Sequence, residues 1–234
     1  MVTPHEELWL MKQTSNKGFT LIELLVAMVI VSIIMAAMVS AYELQVRSKN
    51  TQEALTDMNQ TLRTALEIMT HEIRTAGFDT VPPSAAVAGI ITANANELRF
   101  TRDIGDGVSF QSDNDTNDAN HDEDIRYAIN ANGHLGREVM GAGGLQPLAR
   151  NVDALDFVYL DFNGNPTAVL ADIRSIQVTI VARAGEAGGV GFVGAHTDTT
   201  VYQNQQGAVI LPAQNDAYRR LMLTTTIQCR NLGV

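Results

Sequence analysis

The most constraining feature of the sequence is one apolar stretch near its beginning. Between Leu21 and Val39 only Glu23 and Ser32 are polar. A helix of about 20 apolar residues is the length that crosses the hydrocarbon core of a bilayer. This stretch therefore needs lipid or other polypeptides around it. The rest of the chain, about 190 residues, is long enough to form one packed core of its own.

The apolar pattern continues beyond this stretch as one stripe on an amphipathic helix. The stripe residues recur three or four positions apart; they are Leu55, Met58, Leu62, Leu66, Met69, Ile73 and Ala76. No proline or glycine interrupts residues 19–76, whereas Gly77 and two later prolines provide a stop. The sequence therefore predicts one continuous helix, about 87 Å long at 1.5 Å per residue.

After Pro83 the pattern changes to short alternating segments separated by turns, which predicts antiparallel strands. The predicted strands are 97–100, a hairpin of 125–129 with 134–139, 155–160 before a turn at Gly164, 173–182 and 221–229. The last two are rich in β-branched residues, and a glycine-rich loop lies between them. The predicted fold class is α+β, with a long N-terminal helix packed on an antiparallel β-sheet domain.

Composition and motif content argue against several functional classes. The net charge of −10 gives no reason to expect nucleic-acid binding through phosphate neutralisation. The single cysteine, Cys229, cannot form an internal disulfide, and we expect a small half-buried residue in the last strand. The histidines are scattered, and no nucleophile elbow, zinc spacing or phosphate-binding loop occurs. The sequence therefore predicts a protein that is not an enzyme.

The residues before the apolar stretch form a short basic leader that ends in glycine. From Met11 the chain reads MKQTSNKG, followed by FTLIELLV. Lys12 and Lys17 favour a cytoplasmic leader, and Gly18 lets an extended backbone enter a protease cleft closely. An unpaired carboxylate at Glu23 costs a few kcal/mol or more in hydrocarbon, which makes this residue a functional candidate.

The sequence GFTLIE at residues 18–23 resembles the class III signal of type IV prepilins and type II secretion pseudopilins. The resemblance implies that a membrane aspartyl protease, the prepilin peptidase, cuts after Gly18 and methylates the new amine of Phe19. It also implies that Glu23 pairs with the positive N-terminus of Phe19 on a neighbouring subunit and so fixes the axial register of a filament. The implied partners are other major and minor pilins and an inner-membrane assembly platform.

The resemblance also implies a domain organisation and a location. Residues 1–18 are expected to form a leader that the peptidase removes, and residues 19–40 a transmembrane and filament-core helix. Residues 41–77 are expected to form an amphipathic helix, and residues 78–234 a β-rich globular domain. The globular domain is expected in the periplasm, with the chain anchored in the inner membrane by a single span and later part of a pilus or pseudopilus.

Other interpretations of the N-terminus stay open at this point. In a simple membrane anchor, Glu23 reaches toward the headgroups. In a secretory signal peptide, cleavage falls near the small residues Val39-Ser40-Ala41. The start of translation, at Met1 or at Met11, is also open, because residues 1–10 do not belong to the leader pattern.

A second resemblance narrows the expected role. The sequence MTHEIRTAGF at residues 69–78 resembles the helix end of PilW-type minor pilins. Further similarities are the Tyr127 hairpin with its following Arg137, and Tyr159-Leu160-Asp161 before Gly164. The resemblance implies a minor pilin that is incorporated into a type IV pilus or primes its assembly. The alternatives are a J-type minor pseudopilin of a type II secretion system, which shares this layout, and a pilus-tip adhesin or uptake factor.

Residues 113–124 form an acidic stretch with the spacing of a calcium-binding loop. Six of these twelve residues are acidic. With Asp113 as the first position, Asp115 is third, Asn117 fifth and Asp124 twelfth, which are ligand positions for Ca²⁺. The sixth position lacks the usual glycine and the twelfth is Asp rather than Glu, so the alternative is a solvated acidic loop. No other cofactor is expected.

Overall fold

A computed structural model describes residues 18–78, 89–104, 123–141, 143–185 and 196–232. The chain divides into two compact units, Met1–Val46 and Arg47–Val234. The one long helix of the described residues, α1, contributes to both units and comprises Leu21–Ile73. All the strands belong to the second unit.

The first unit consists, in its described part, of the first half of α1. Its apolar side chains are exposed throughout, and none of them is buried by another part of the described chain. By length and composition this helix can cross a membrane, although a signal sequence near an N-terminus meets the same two criteria. The apolar surface therefore fits a surrounding of lipid or of other helices.

The second half of α1 carries the predicted stripe and packs on the β-sheets. The buried stripe residues are Met58, Leu62, Met69, Ile73 and Ala76, and Leu55 and Leu66 are partly buried beside them. These buried positions recur at helical spacing, which places one face of α1 against the sheets and leaves the opposite face polar. The predicted fold, a long helix packed on an antiparallel sheet domain, is confirmed.

The helix ends four residues earlier than the boundary at residue 77 that the sequence predicts. After Ile73 the backbone tightens, with bonds from Thr75 N to Glu72 O and from Ala76 N to Ile73 O. Gly77 then turns the chain at a φ of 75° and donates to Thr101 O at 3.0 Å. The positive φ favours glycine, and the Leu232 side chain would have to move to accept a Cβ atom, which would lie 2.5 Å from its Cδ2.

Ten strands form three antiparallel sheets among the described residues. The first sheet has the order β1-β2-β3-β4-β5, and these strands are Ile90–Asn94, Glu97–Thr101, Asp124–Ile129, Leu135–Val139 and Gln146–Ala149. The second has the order β10-β7-β6, formed by Arg220–Gln228, Ser175–Arg183 and Val152–Leu160. A short 3₁₀ helix, Leu170–Asp172, precedes β7, and β8 (Tyr202–Gln203) pairs with β9 (Val209–Leu211).

The predicted hairpin is confirmed as β3 and β4, and its turn chemistry explains why. The side-chain oxygen of Asn130 accepts bonds from the amides of Asn132 and His134, at 2.9 and 3.0 Å. Gly133 takes a positive φ of 72°. A turn closed by an asparagine side chain and a glycine brings the two strands into register without strain.

The β8–β9 hairpin lies on the outer face of the β10-β7-β6 sheet. Its Asn204 donates to Asp156 on β6 at 2.9 Å, and its Gln205 accepts from Gln177 on β7. Sequence analysis predicted only a loop between residues 182 and 221. The sheet face that this hairpin covers is buried and polar. The hairpin residues and their partners on the sheet are far apart in the sequence, so local periodicity could not predict the contact.

One buried arginine on β10 links β6 to two of the segments between β7 and β10. The Arg220 side chain is 2 % exposed and contacts three aspartates. Its Nε lies 2.6 Å from Asp153 Oδ2, its Nη1 3.0 Å from Asp198 Oδ2, and its Nη2 2.7 Å from Asp216 Oδ2. Several charge-assisted bonds to one guanidinium compensate the cost of burying it.

Candidate processing and assembly site

The N-terminus of α1 is closed by a capping box formed by Thr20 and Glu23. The amide and the hydroxyl of Thr20 donate to Glu23 Oε2 at 2.9 and 2.8 Å. In return, the amide of Glu23 approaches Thr20 Oγ1 at 3.4 Å. This reciprocal pattern satisfies amides that an open helix end leaves without partners.

The capping box leaves half of the Glu23 carboxylate available. Among the described residues, every hydrogen bond to this carboxylate goes to Oε2, and none goes to Oε1. The carboxylate lies in the first turn of α1, where the helix dipole favours negative charge. It is therefore held in one orientation, with one oxygen ready to accept a bond from a cation.

Gly18 and Phe19 precede the helix and are open to approach. No atom of the described residues lies within 4 Å of where a Cβ of residue 18 would be, and the Phe19 side chain is 91 % exposed. Both residues lie before the first helical residue, Leu21, and belong to no helix or strand. A peptide bond that must enter a protease cleft needs this accessibility, because a helical bond is shielded by its own turn.

Thr20 is the site residue that sequence reasoning missed. Its signal was present, because a Thr three positions before a Glu at the start of an apolar run is the pattern of a capping box. Thr20 lies outside the apolar run, so only Glu23 stood out as a polar residue in an apolar surrounding. The other polar residue of the run, Ser32, bonds back to the carbonyl of Met28 at 2.7 Å and so satisfies itself within the helix.

A second cluster joins the end of α1 to the first sheet through Glu72. The Tyr127 hydroxyl donates to Glu72 Oε2. Arg137 Nε lies 2.9 Å from Oε2 and its Nη2 lies 2.8 Å from Oε1. Arg102 approaches Oε1 at 3.9 Å. Burial, together with the charge of Glu72, raises the pKa of Tyr127 above its ordinary range.

This cluster brings together two of the three segments that the sequence analysis singled out, namely residues 69–78 and the Tyr127 hairpin. Glu72 belongs to the sequence at the end of the helix, and Tyr127 and Arg137 belong to the hairpin. The third segment lies elsewhere. The Tyr159 hydroxyl donates to the carbonyls of Asn94 and Glu97, at 2.8 and 3.1 Å, and so fixes β6 against the β1–β2 turn.

Asp161 closes the turn after β6. Its Oδ1 accepts bonds from the amides of Asn163 and Asn165, both at 2.8 Å. The Asn165 amide and the other turn amides hold the pKa of this carboxyl below its usual range. These bonds give Asp161 a structural role in the turn. Phe162, at the tip of the turn, is 87 % exposed.

The predicted calcium loop falls mostly outside the described residues. Asp113, Asp115 and Asn117 are not described, so their role stays a prediction. Asp124 is described, and it lies in β3 with both oxygens bonded to Arg99, at 2.9 and 2.6 Å. That ion pair competes with a cation at the twelfth position of the loop. In the described part of the chain, no group of three or more potential ligand residues is placed to hold a metal.

Comparisons with known proteins agree with this geometry. Residues 13–39 match the family model described as the prokaryotic N-terminal methylation motif. A search of curated proteins gave no match. Among solved structures, a type IV-like pilin from Thermus thermophilus is similar, with a TM-score of 0.51 and 15 % sequence identity. The similarity covers 76 % of this chain and all of that pilin.

The methylation motif and the fold together support a type IV pilin-like protein. The motif covers the leader and the start of α1, and the structural similarity covers the helix-and-sheet architecture. The methylation motif is a feature of structural proteins rather than of enzymes, and the similarity to the solved pilin shows the fold. Such a motif implies processing by a prepilin peptidase and assembly with other pilins.

Proposed function

We propose that this protein is a minor pilin that is incorporated into a type IV pilus or primes its assembly. It is made as a prepilin and cut after Gly18. Residues 19–40 then hold it in the inner membrane and later pack in the filament core. The amphipathic part of α1 carries the β-rich domain, from residue 78 onward, in the periplasm.

The observation that carries this proposal is that only one of the two carboxylate oxygens of Glu23 is bonded within the described chain. Thr20 fixes Oε2, and Oε1 remains available a few residues from the cleavage site. Cleavage creates an ammonium at Phe19, and a charge-assisted bond between such groups contributes about 1.5–3 kcal/mol. The chain's own Thr20 occupies only one oxygen, so a neighbouring subunit can supply the cation without breaking the cap.

The role as a minor pilin is supported by the Glu72 cluster. It joins, in one buried contact, residues from two separate segments that resemble PilW-type minor pilins. J-type pseudopilins share this layout. Deleting the gene and scoring both pili and secreted enzymes separates the two systems, because a minor pilin affects the first and a pseudopilin the second.

A pair of matched variants tests the assembly role. Glu23→Val removes the carboxylate, and Ser32→Val removes the other polar group of the same apolar run, whose hydroxyl is satisfied by Met28. We expect both variants to be processed and to stay in the membrane. Only Glu23→Val should be depleted from sheared filaments. Recovery of Glu23→Val at the level of Ser32→Val contradicts the pairing role.

A further inference from the structure

The two larger sheets have four edges, and three of them are protected against pairing with another chain. The edge strand β1 has a register irregularity between Ile90 and Thr92. The edge strand β5 has only four residues, includes Pro147 and is irregular where it meets β4. On the β6 edge, Phe157 N donates to Ala95 O at 2.7 Å. Short strands, prolines, bulges and covering segments are the usual protections of exposed edges.

Within the part of the chain that the structure describes, the fourth edge, β10, has none of these protections. Its nine residues pair with β7 in one uninterrupted register. From Leu221 to Gln228 it contains no charged residue and no proline. Met222 is 39 % exposed, and Thr226 and Gln228 are exposed as well. A long, regular and uncharged edge of this kind is a template for pairing with another strand.

The hydrogen bonds at both ends of β10 show which backbone groups face outward. Cys229 N donates to Arg174 O, and Ala184 N donates to Arg219 O, both at 2.9 Å. Because bonded and non-bonded pairs alternate in an antiparallel ladder, the odd-numbered residues of β10 bond to β7. The even-numbered residues turn their amides and carbonyls to the open edge; after Arg220 at the start of the strand, they are Met222, Thr224, Thr226 and Gln228. Within the described residues no backbone bond reaches these groups.

We propose that β10 receives an extended segment of a different pilin subunit, which adds a fourth strand to the β10-β7-β6 sheet. Main-chain bonds would supply the affinity in such strand addition, and the side chains along the edge would supply the specificity. This inference rests on the proposed role in filament assembly, because that role supplies a neighbouring subunit.

The charges at the ends of β10 favour a different subunit over a second copy. Arg219 and Arg230 are exposed, lie just before and just after the strand, and form no ion pair with a described residue. In an antiparallel pair of two β10 strands, Arg219 of one copy would lie close to Arg230 of the other, and like charges there destabilise the pair. The fitting partner segment has an uncharged, β-branched centre and an acidic residue near each end.

Amide hydrogen exchange of the full chain tests this pairing directly. Rates in detergent-solubilised membranes are compared with rates in sheared filaments. We expect the amides of Met222, Thr224, Thr226 and Gln228 to exchange at least about tenfold more slowly in filaments, and the odd-numbered amides of β10 to be slow in both samples. Equal rates for the even-numbered amides in both samples, whether fast or slow, overturn the proposal.

Three variants separate strand addition from simple loss of folding. Thr224→Pro removes one outward donor, which an edge strand tolerates, and Met222→Lys places a charge on the edge. Gln203→Lys places the same charge on the exposed side of β8 and serves as the control. We expect the first two to be processed normally and recovered in filaments at least about fivefold less than the control.

The outcomes also separate this inference from the proposed function. If Met222→Lys and Thr224→Pro enter filaments like Gln203→Lys while Glu23→Val does not, strand addition is wrong and the assembly role stands. If the wild-type chain forms a homodimer that Met222→Lys abolishes, the occupant is a second copy and the proposal is overturned. Replacing Arg219 and Arg230 by Glu should reduce incorporation of the chain into filaments. Unchanged incorporation would contradict the proposal that the partner segment has an acidic residue near each end.

Discussion

Replacing Glu72 by Gln should weaken the attachment of α1 to the first sheet by about 3 kcal/mol. The side chain is 12 % exposed, and its partner Arg137 is 17 % exposed. Breaking a buried ion pair by removing one charge costs about 3–5 kcal/mol, and the residual exposure of both groups favours the lower end. A glutamine still accepts the Tyr127 hydroxyl, so the loss comes mainly from the charge attraction between the Arg137 guanidinium and the Glu72 carboxylate.

The fragment from Arg47 to Val234, which is the second compact unit, suits this measurement because it lacks the apolar half of α1. Urea unfolding should show a lower midpoint with an unchanged slope. In a thermal scan, a domain of this size loses about 2–4 °C per kcal/mol, which gives a shift of about 6–12 °C. Tyr127→Phe removes a single bond to a charged group and should cost about 1.5–3 kcal/mol.

Glu67→Gln is the matched control. Glu67 lies on the same helix, is exposed and makes no bond to a described residue. The control should change stability by less than about 0.5 kcal/mol. A cost of less than about 1 kcal/mol for Glu72→Gln would refute the claim that this cluster holds the helix to the sheet.

Three further predictions concern other groups. Burial works to raise the pKa of Asp198, but bonds from Thr200 and Arg220 outweigh it and lower the pKa to about 2 from 3.8. Its contribution is therefore complete above about pH 4 and lost as the pH falls toward 2, and Asp198→Asn should flatten this part of an acid-unfolding curve. Burial raises the pKa of Cys229 to about 12, so iodoacetamide should label it in urea and not in buffer. If the acidic loop binds calcium, millimolar Ca²⁺ should raise the melting temperature more than Mg²⁺, and Asp115→Asn should remove the difference.

Local periodicity was sufficient to predict the helix and the central hairpin. The stripe from Leu55 to Ala76 repeats at helical spacing, and the buried face of α1 follows it. The alternating residues around Gly133 predicted β3 and β4 correctly. The helix was predicted to reach Ala76 but ends at Ile73, because Gly77 marks the stop in the sequence while the tightened turn before it leaves no local pattern.

The contacts that fix the tertiary structure were beyond such reasoning. Tyr127 and Arg137 lie 55 and 65 residues after Glu72, so no periodic pattern links them. Arg220 is bound by aspartates on three separate segments, the most distant 67 residues away. Cys229 lies one residue beyond β10 and is buried rather than half-buried. These outcomes depend on how sheets and loops pack, which composition does not specify.

The most direct test of the account is the identity of the mature N-terminus. Mass spectrometry of the chain purified from its own membranes should find a protein that begins at Phe19 and carries one methyl group on its amine. Gly18→Ala should leave the leader attached. A wild-type chain that keeps the residues before Phe19, or one that begins near Ala41 after cleavage as a secretory signal, would contradict the account.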